Sequence, residues 1–313
     1  MTSAPIVVLA GGTGGAKLAR GLLDHAGAAL TVLANPGDDV EIHGAHVAPD
    51  ADLVTFWLAD RIDARGWGLD GDSFHAMGML RELGDDVWFD LGDRDLGLCL
   101  RRARRLAEGA RLTEVLAEHA TALGVDARVL PPTDDPVRTR VRADDRWWEF
   151  QEFMIRRLRQ EPPATIQDVR FDGIEDARAT PEALDAIARA EVVVLGPSNP
   201  IISVRPILDV PGVRAALRET AAPVVAVAPF VAGAVVKGPT EQFMTWAGVS
   251  PDARGTARVY EGLLDGLVTD EPLDLPGVAV HVTDTLLDAP DARRRVAGEV
   301  LALGRRLREE GRP

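Results

Sequence analysis

The sequence predicts an α/β protein: a Rossmann-like, doubly wound, mainly parallel sheet with an inserted helical lobe and a β-hairpin. Three observations carry that expectation. The apolar run Ile6–Ala10 ends in a glycine cluster that opens a helical period. Val192–Leu195 and Val224–Ala228 are continuous Val-rich runs, the pattern of strands covered on both faces of a parallel sheet. Between the second strand and the next core strand lies a long stretch with helical rather than strand periodicity.

Taken in order, Ile6–Ala10 is the first strand, and Ala16 to His25 follows as a helix with Leu18, Leu22 and Leu23 on one face. Leu30–Ala34 is the second strand. Residues 53–124 read mostly as helix, with apolar positions three and four apart at Val54, Trp57 and Leu58 and again at Leu112, Val115 and Leu116, and Gly124 as a C-cap. This segment is the inserted lobe, and 1–52 with 125–313 form the nucleotide-binding core. Ala127–Leu130 is a candidate strand. Val137–Arg142 and Trp147–Phe153 alternate apolar with polar residues and suggest a hairpin, over about 137–153, that turns at Asp144–Asp145. Val278–Val282 reads as the last strand, and Ala292 to Arg308 as a terminal amphipathic helix.

The bulk numbers exclude several classes. A chain of 313 residues can bury a full core without disulfides or structural metal. Cys99 is the only cysteine, so no intrachain disulfide exists; it sits in an apolar helical context and reads as a small buried hydrophobe. The net charge of −14 argues against a nucleic-acid footprint, and an anionic ligand then needs local cations, backbone amides or a metal. The N-terminus lacks a basic secretory n-region, and the longest uncharged run, Ala221 to Val236, is interrupted by Pro223 and Pro229. A cytoplasmic protein with no membrane partner is expected. The base-rate oligomer is a homodimer.

Five motifs carry chemistry. Gly11-Gly12-Thr13-Gly14-Gly15-Ala16-Lys17, between a strand and a helix, lets backbone N–H groups approach phosphate. It is neither common nucleotide fingerprint. Lys17 stands where the dinucleotide motif needs its last glycine, and Leu18 where the P-loop needs a metal-binding hydroxyl. A tight turn that needs glycine is the bland alternative. Asn35-Pro36-Gly37-Asp38-Asp39 follows the second strand, and Pro49-Asp50-Ala51-Asp52 comes soon after. Carboxylates at strand ends suit Mg²⁺, with Asp38, Asp39 and Asp50 as candidate ligands, although Asx turns and helix caps use the same residues.

Leu91-Gly92-Asp93-Arg94-Asp95 is either a helix start capped by Asp93 or a polar clamp on a ligand. Pro131-Pro132-Thr133-Asp134-Asp135-Pro136 is a rigid acidic turn that could contact ligand. Gly196-Pro197-Ser198-Asn199-Pro200-Ile201-Ile202-Ser203 follows a core strand directly and offers a second oxyanion cradle; a helix N-cap is its plainer reading. Among the few aromatics, Trp67 lies between Gly66 and Gly68 in a loop setting and could stack on a flat ring system.

The ordered set LAGGTGGAKLARGL, NPGDD, HGAHVAPDAD, RGWGLDGDSF, WFDLGDRDL, LPPTDDPVRT, FQEF, GPSNPIIS and VKGP closely resembles the 2-phospho-L-lactate transferase family of coenzyme F-420 biosynthesis, from about residue 6 to about 287. The resemblance implies a Rossmann-like core with a helical lobe, two substrates (the deazaflavin Fo and a guanosine-diphosphate-linked carboxylic acid) and Mg²⁺. The Fo ribityl hydroxyl would attack the phosphorus that bears the acid unit, GMP would leave, and the product would be coenzyme F-420-0 or its dehydro form.

Carried over residue by residue, Gly11, Gly12, Thr13, Gly14, Gly15, Lys17 and Asn35, with Ser198, Asn199 and Ser203, would hold the donor. Asp38 and Asp50 would be catalytic, with Asp39 as a further metal ligand. Asp52, Trp67, Arg94 and Asp134 would contact Fo. Small departures, such as Arg205 in place of a frequent glycine, remove no carboxylate and no phosphate-loop glycine. The Ala-, Arg-, Gly- and Asp-rich composition points to a GC-rich bacterial genome, which favours enolpyruvate over lactate as the donor acid, with glycerate left open.

Two other readings compete. One is a nucleotide-sugar-binding regulator of the gluconeogenesis-factor type, which shares the glycine loop. The other is a nicotinamide-dependent dehydrogenase, which the broken fingerprint and Asn35 at the end of strand two speak against.

Overall fold

The computed structural model describes residues 4–158, 160–162, 164–236 and 238–311; Lys237 of the VKGP segment lies outside them. Among the described residues one parallel sheet has strands β1 Ile6–Ala10, β2 Leu30–Ala34, β3 Arg128–Leu130, β4 Val192–Leu195, β5 Val224–Val227, β6 Gly266–Thr269 and β7 Ala279–Val282. Their spatial order is β7-β6-β5-β4-β1-β2-β3, and every neighbouring pair is parallel. The order reverses at β1 and β4. In such sheets the crevice beyond the carboxyl ends of the two strands at the reversal is where ligands bind.

Apolar residues in unbroken runs make this sheet because both faces are covered. In β1, Ile6, Val8 and Ala10 face one core cluster, while Val7 and Leu9 face the other. The first cluster is closed by helices α1 Gly12–Ala26, α2 Pro49–Leu58, α5 Leu112–Ala122 and the C-terminal helix Pro290–Glu310. The second is closed by helices Pro181–Arg189, Val213–Glu219 and Ala253–Val259.

Helix α1 starts at Gly12, so the glycines that read as a loop form its first turn instead. Helix α2 starts at Pro49, with proline in its first turn, which puts Asp50 and Asp52 at a helix N-terminus where negative charge is favoured. Helices α3 His75–Glu82 and α4 Asp93–Ala107 pack with the hairpin Val40–Ile42/Ala45–Val47 around a small cluster of Val40, Val47, Met77, Leu91 and Cys99.

The two helices cap one another. Asp93 accepts from the backbone N–H of His75 at 3.0 Å and of Ala76 at 2.9 Å, so it caps α3 rather than its own helix. Asp72 returns the favour to α4, accepting from the N–H of Arg94 at 2.9 Å and of Asp95 at 3.2 Å. Gly92 permits this approach, because a Cβ there would lie 2.2 Å from an Asp72 carboxylate oxygen.

The hairpin turns at Asp144 and Asp145, whose φ angles of 52° and 60° fit the mirror-image turn that matches strand twist. Its strands are Arg138–Ala143 and Arg146–Glu149, and Asp168–Asp172 adds a third. The expected strand through Phe153 ends at Glu149. Phe150 and Phe153 bury together against Phe243, with ring centroids 6.2 and 6.4 Å away, and that spacing requires a helical turn.

Candidate active site

A cavity of about 650 Å³ opens at the crevice between β1 and β4 and runs to the helical lobe. This is the size range of small-molecule sites. At the crevice end its wall is the start of α1 and the turn after β4. Gly12 has φ of 62°, a conformation that favours glycine, and its N–H donates to Asp50 Oδ1 at 2.6 Å. Gly11 N–H donates to Ser198 Oγ at 3.3 Å. Gly14 lies so close to the opposing turn that a Cβ would sit 2.1 Å from the Pro197 carbonyl oxygen.

Two polar atoms here are buried without a hydrogen-bond partner among the described residues: Thr13 Oγ1 and Asn199 Nδ2. The Asn199 carbonyl oxygen accepts from Ile201 and Ile202 N–H at 2.9 and 3.3 Å, which fixes the amide and leaves its NH₂ to serve a ligand. Lys17 and Ser203 also line this end, and Lys17 Nζ pairs with Asp288 at 2.6 Å.

Asn35 organises the middle of the cavity from behind. Its N–H ties β2 to the Ala10 carbonyl at 3.1 Å. Its amide NH₂ donates to Asp38 Oδ1 at 2.9 Å, Asp50 Oδ2 at 2.8 Å and the Ile202 carbonyl at 3.2 Å. Asp38 Oδ2 accepts from Gln151 at 3.2 Å. Burial raises the carboxyl pKa of Asp38 well above the usual range, and the charge of Asp50 raises it further. Burial likewise pushes Asp50 up to about 6, although bonds from Gly12 and Asn35 pull the other way. Two desolvated carboxylates sharing one amide form a site short of positive charge. Their four hard oxygens, each with one hydrogen bond, fit a divalent cation.

At the lobe end the wall is aromatic: Trp67, Phe74, Trp88 and Phe89 line it, and Trp67 is 53% exposed. Asp52 and Asp95 face the cavity here. Asp52 is ion-paired to Arg102, a fully buried arginine of α4 whose Nη1 also donates to the His46 carbonyl at 2.9 Å. His119 Nδ1 lies 3.5 Å from Arg102 Nη2, and burial followed by that positive charge lowers the imidazole to about 4.

Several residues expected at the site lie elsewhere. Gly15 packs beneath the wall, where a Cβ would meet Ser198 Oγ at 2.5 Å. Asp39 does not line the cavity, and its Oδ2 accepts from His46 at 3.1 Å, although its charge still raises both Asp38 and Asp50. Arg94 is exposed and reaches the Asp70 carbonyl at 3.3 Å instead of the cavity. Asp134 caps α5 from outside, accepting from Thr113 N–H at 2.8 Å and from Arg111 at 2.7 Å.

Sequence reasoning included Asp95 only as a member of the Leu91–Asp95 motif, with Arg94 as its ligand contact, and passed over Arg102. The signal that could have found them is the spacing Asp95, Cys99, Arg102, which puts one acid, one thiol and one cation on the same face of a helix whose other face is charged and exposed.

The sequence matches the family model described as 2-phospho-L-lactate transferase CofD over residues 6–281. It is 38% identical over 306 residues to the 2-phospho-L-lactate transferase of Methanopyrus kandleri, which spans 95% of this chain and 97% of that protein. It is 35% identical over 319 residues to the phosphoenolpyruvate transferase of Streptomyces coelicolor, spanning 97% of this chain and 99% of that protein. A solved structure from Bacillus halodurans, a member of the UPF0052 family, superposes with a TM-score of 0.64 at 18% identity, covering 96% of this chain and 99% of that one; this likeness supports the fold alone. On the extent of the family match and the length-wide identity to its named members, the chain belongs to the 2-phospho-L-lactate transferase CofD family and is a transferase.

Proposed function

We propose that this transferase moves a phospho-carboxylic-acid unit from a guanosine-diphosphate-linked donor to the ribityl hydroxyl of Fo, releasing GMP and giving coenzyme F-420-0 or its dehydro form. The observation that carries the reading is one continuous cavity with a phosphate cradle at one end, an aromatic wall at the other and the pair Asp38–Asp50 between them. The donor diphosphate fits against Gly11–Gly14, Lys17 and the Ser198–Ser203 turn, where N–H groups at the start of α1 and the amide of Asn199 supply donors. The deazaflavin ring fits against Trp67 and its aromatic neighbours.

Phosphoryl-type transfer is mostly positioning and charge stabilisation. The acceptor oxygen bonds to the phosphorus carrying the acid, the bridging oxygen leaves with GMP, and the hydroxyl proton passes to Asp50. Burial raises the Asp50 carboxyl in the metal-free site, which makes it a stronger base than an exposed aspartate. Aspartates outnumber Lys17 and Arg65 on the cavity wall among the described residues, so a diphosphate needs added positive charge. Asp38 and Asp50 would hold Mg²⁺, which supplies charge neutralisation of the phosphate oxygens.

The test is a mass-spectrometric assay with Fo, Mg²⁺ and each of the enolpyruvyl, lactyl and glyceryl donors. Stoichiometric GMP and the matching product are expected with at least one of them. Absence of product with all three, together with thermal stabilisation by a uridine-diphosphate sugar but not by GDP or Fo, would overturn the proposal in favour of the regulatory reading.

A further inference from the structure

Asp95 stands on the lobe wall of the cavity without a cationic partner of its own. Its neighbours are Asp52 of α2, Asp72 before α3, and Cys99 and Arg102 on its own helix. Oxygens of Asp52 and Asp95 and the Cys99 sulfur all lie within 4.8 Å of one another. Arg102 is the one cation buried among them, and its guanidinium is engaged by Asp52, by the His46 carbonyl and by His119 of α5. Asp72 uses its carboxylate oxygens on the N–H groups of Arg94 and Asp95. Cys99 Sγ sits 3.8 Å from Asp95 Oδ1 and 3.9 Å from Asp52 Oδ2, so its single weak proton cannot neutralise both acids.

Two carboxylates this close, with one buried guanidinium committed to the first, cannot both be ionised cheaply. The one without the arginine keeps its proton. Burial and then the charge of Asp52 place Asp95 at about 7, in accord with the geometry. A carboxylic acid held neutral in an apolar site becomes a hydrogen-bond donor rather than an acceptor. The surroundings are flat aromatic side chains: Phe74, Trp88 and Phe89 line the same stretch of wall. A ligand ring seated there presents its polar edge, and an O–H on the wall recognises a carbonyl oxygen or an unprotonated ring nitrogen on that edge.

We infer that Asp95 is a specificity-determining residue that acts as a neutral acid, donating a hydrogen bond to an acceptor atom on the edge of the flat heteroaromatic substrate, and that the Arg102–Asp52 pair holds it in that state. This rests on the proposed assignment of the lobe end to Fo. It also accounts for the GDRD motif in a way the sequence did not suggest: the second aspartate, not the arginine, faces the substrate.

The experiment compares wild-type enzyme with Asp95→Asn and Asp95→Leu. It measures Fo binding and KM for Fo between pH 6 and 9 with donor and Mg²⁺ saturating. Asn keeps an N–H donor that does not titrate, so the ratio of wild-type KM to Asp95→Asn KM is near one at pH 6. That ratio should then rise by about tenfold by pH 9 as the wild-type acid loses its proton. Asp95→Leu should bind Fo poorly at every pH while its KM for the donor stays unchanged.

A ratio that stays flat across the range, or an Asp95→Asn variant as weak as Asp95→Leu at pH 6, overturns the inference. The ratio cancels any ionisation of Fo itself. Wild-type enzyme that fails to bind Fo at pH 6 sinks the acceptor assignment, and the inference falls with it. Wild-type enzyme that binds Fo, but with a pH-independent ratio, sinks the inference alone.

Discussion

The two ends of the cavity are built from different material. At the crevice between β1 and β4 the wall is backbone. Glycines bring the start of α1 to within contact of the Pro197 turn, and the strands behind them are buried on both faces. At the lobe end the wall is side chains, with aromatic rings and carboxylates projecting from α4 and from the segments before α3 and α4, over a core cluster of six buried residues. A backbone wall is rigid and tolerates no added atom. A side-chain wall can be changed piece by piece. The first suits a group common to all donors, a diphosphate; the second suits a ring that has to be told from other rings.

The largest expected effect lies where the two ends meet. Asp50→Asn should lower kcat by about 10²- to 10⁴-fold and raise KM for the donor, because it also removes a Mg²⁺ ligand, while KM for Fo changes little, as rapid-quench or steady-state assays would show. A variant with full turnover would remove Asp50 from the proton-accepting role. In wild type the same group sets the acid limb of Mg²⁺ binding. In the metal-free protein its pKa lies near 6, above the ordinary 3.8, so the Mg²⁺ concentration needed for half-maximal activity should rise as pH drops through about 6.

Next comes the backbone wall. Gly14→Ala places a methyl 2.1 Å from the Pro197 oxygen, and the strain of about 1–3 kcal/mol should appear as weaker donor binding and a lower Tm, with KM for Fo spared. If KM for Fo rose as much as KM for the donor, the two ends would not be separable as described.

The side-chain wall should yield less. Trp67→Ala is expected to raise KM for Fo by about two- to tenfold, the value of about 0.5–1.5 kcal/mol for an aromatic contact, and to leave KM for the donor alone. Quenching of tryptophan fluorescence by Fo, lost in the variant, would give a direct readout.

The smallest effect is one of stability. The carboxyl of Asp38 is raised in the fold, so its protonation favours the native state below its unfolded pKa, and that contribution is lost as pH rises through the folded value. Asp38→Asn should therefore raise Tm by a few degrees at pH 8 and leave it unchanged at pH 4, at roughly 2–4 °C per kcal/mol. Added Mg²⁺ should raise the wild-type Tm at pH 8 and do little for the variant.

Much of the backbone wall was legible in the sequence because its rules are local. The apolar run Val192–Leu195 matched its strand residue for residue, and the glycine and Gly196–Ser203 motifs mark the ends of β1 and β4. Strand β6 was missed because Gly266-Leu267-Val268-Thr269 is short and opens on glycine, where a Cβ would come within 3.0 Å of Leu303 in the C-terminal helix. The hairpin Val40–Val47 was missed because its strands are three residues each.

The side-chain wall was harder to read. The choice between Arg94 and Asp95 is a choice of helix face. Asp93, read as the cap of its own helix, in fact caps the preceding helix in the chain. Asp39 and Asp134 read as site residues because aspartate near a strand end serves a cap or a ligand equally well, and only the positions of His46, Thr113 and Arg111 decide between them.

The exchange of caps between Asp72 and Asp93 makes the starts of α3 and α4 mutually conditional. Asp93 opens α4 and Asp72 leads into α3, so loosening of either helix start draws on the carboxylate that closes the other. The lobe should then open as one cooperative unit, with the amides of His75, Ala76, Arg94 and Asp95 sharing a common hydrogen-exchange rate. Occupancy of the aromatic wall by a substrate would slow all four together, so protection at α3, none of whose residues lines the cavity, would report on binding at α4.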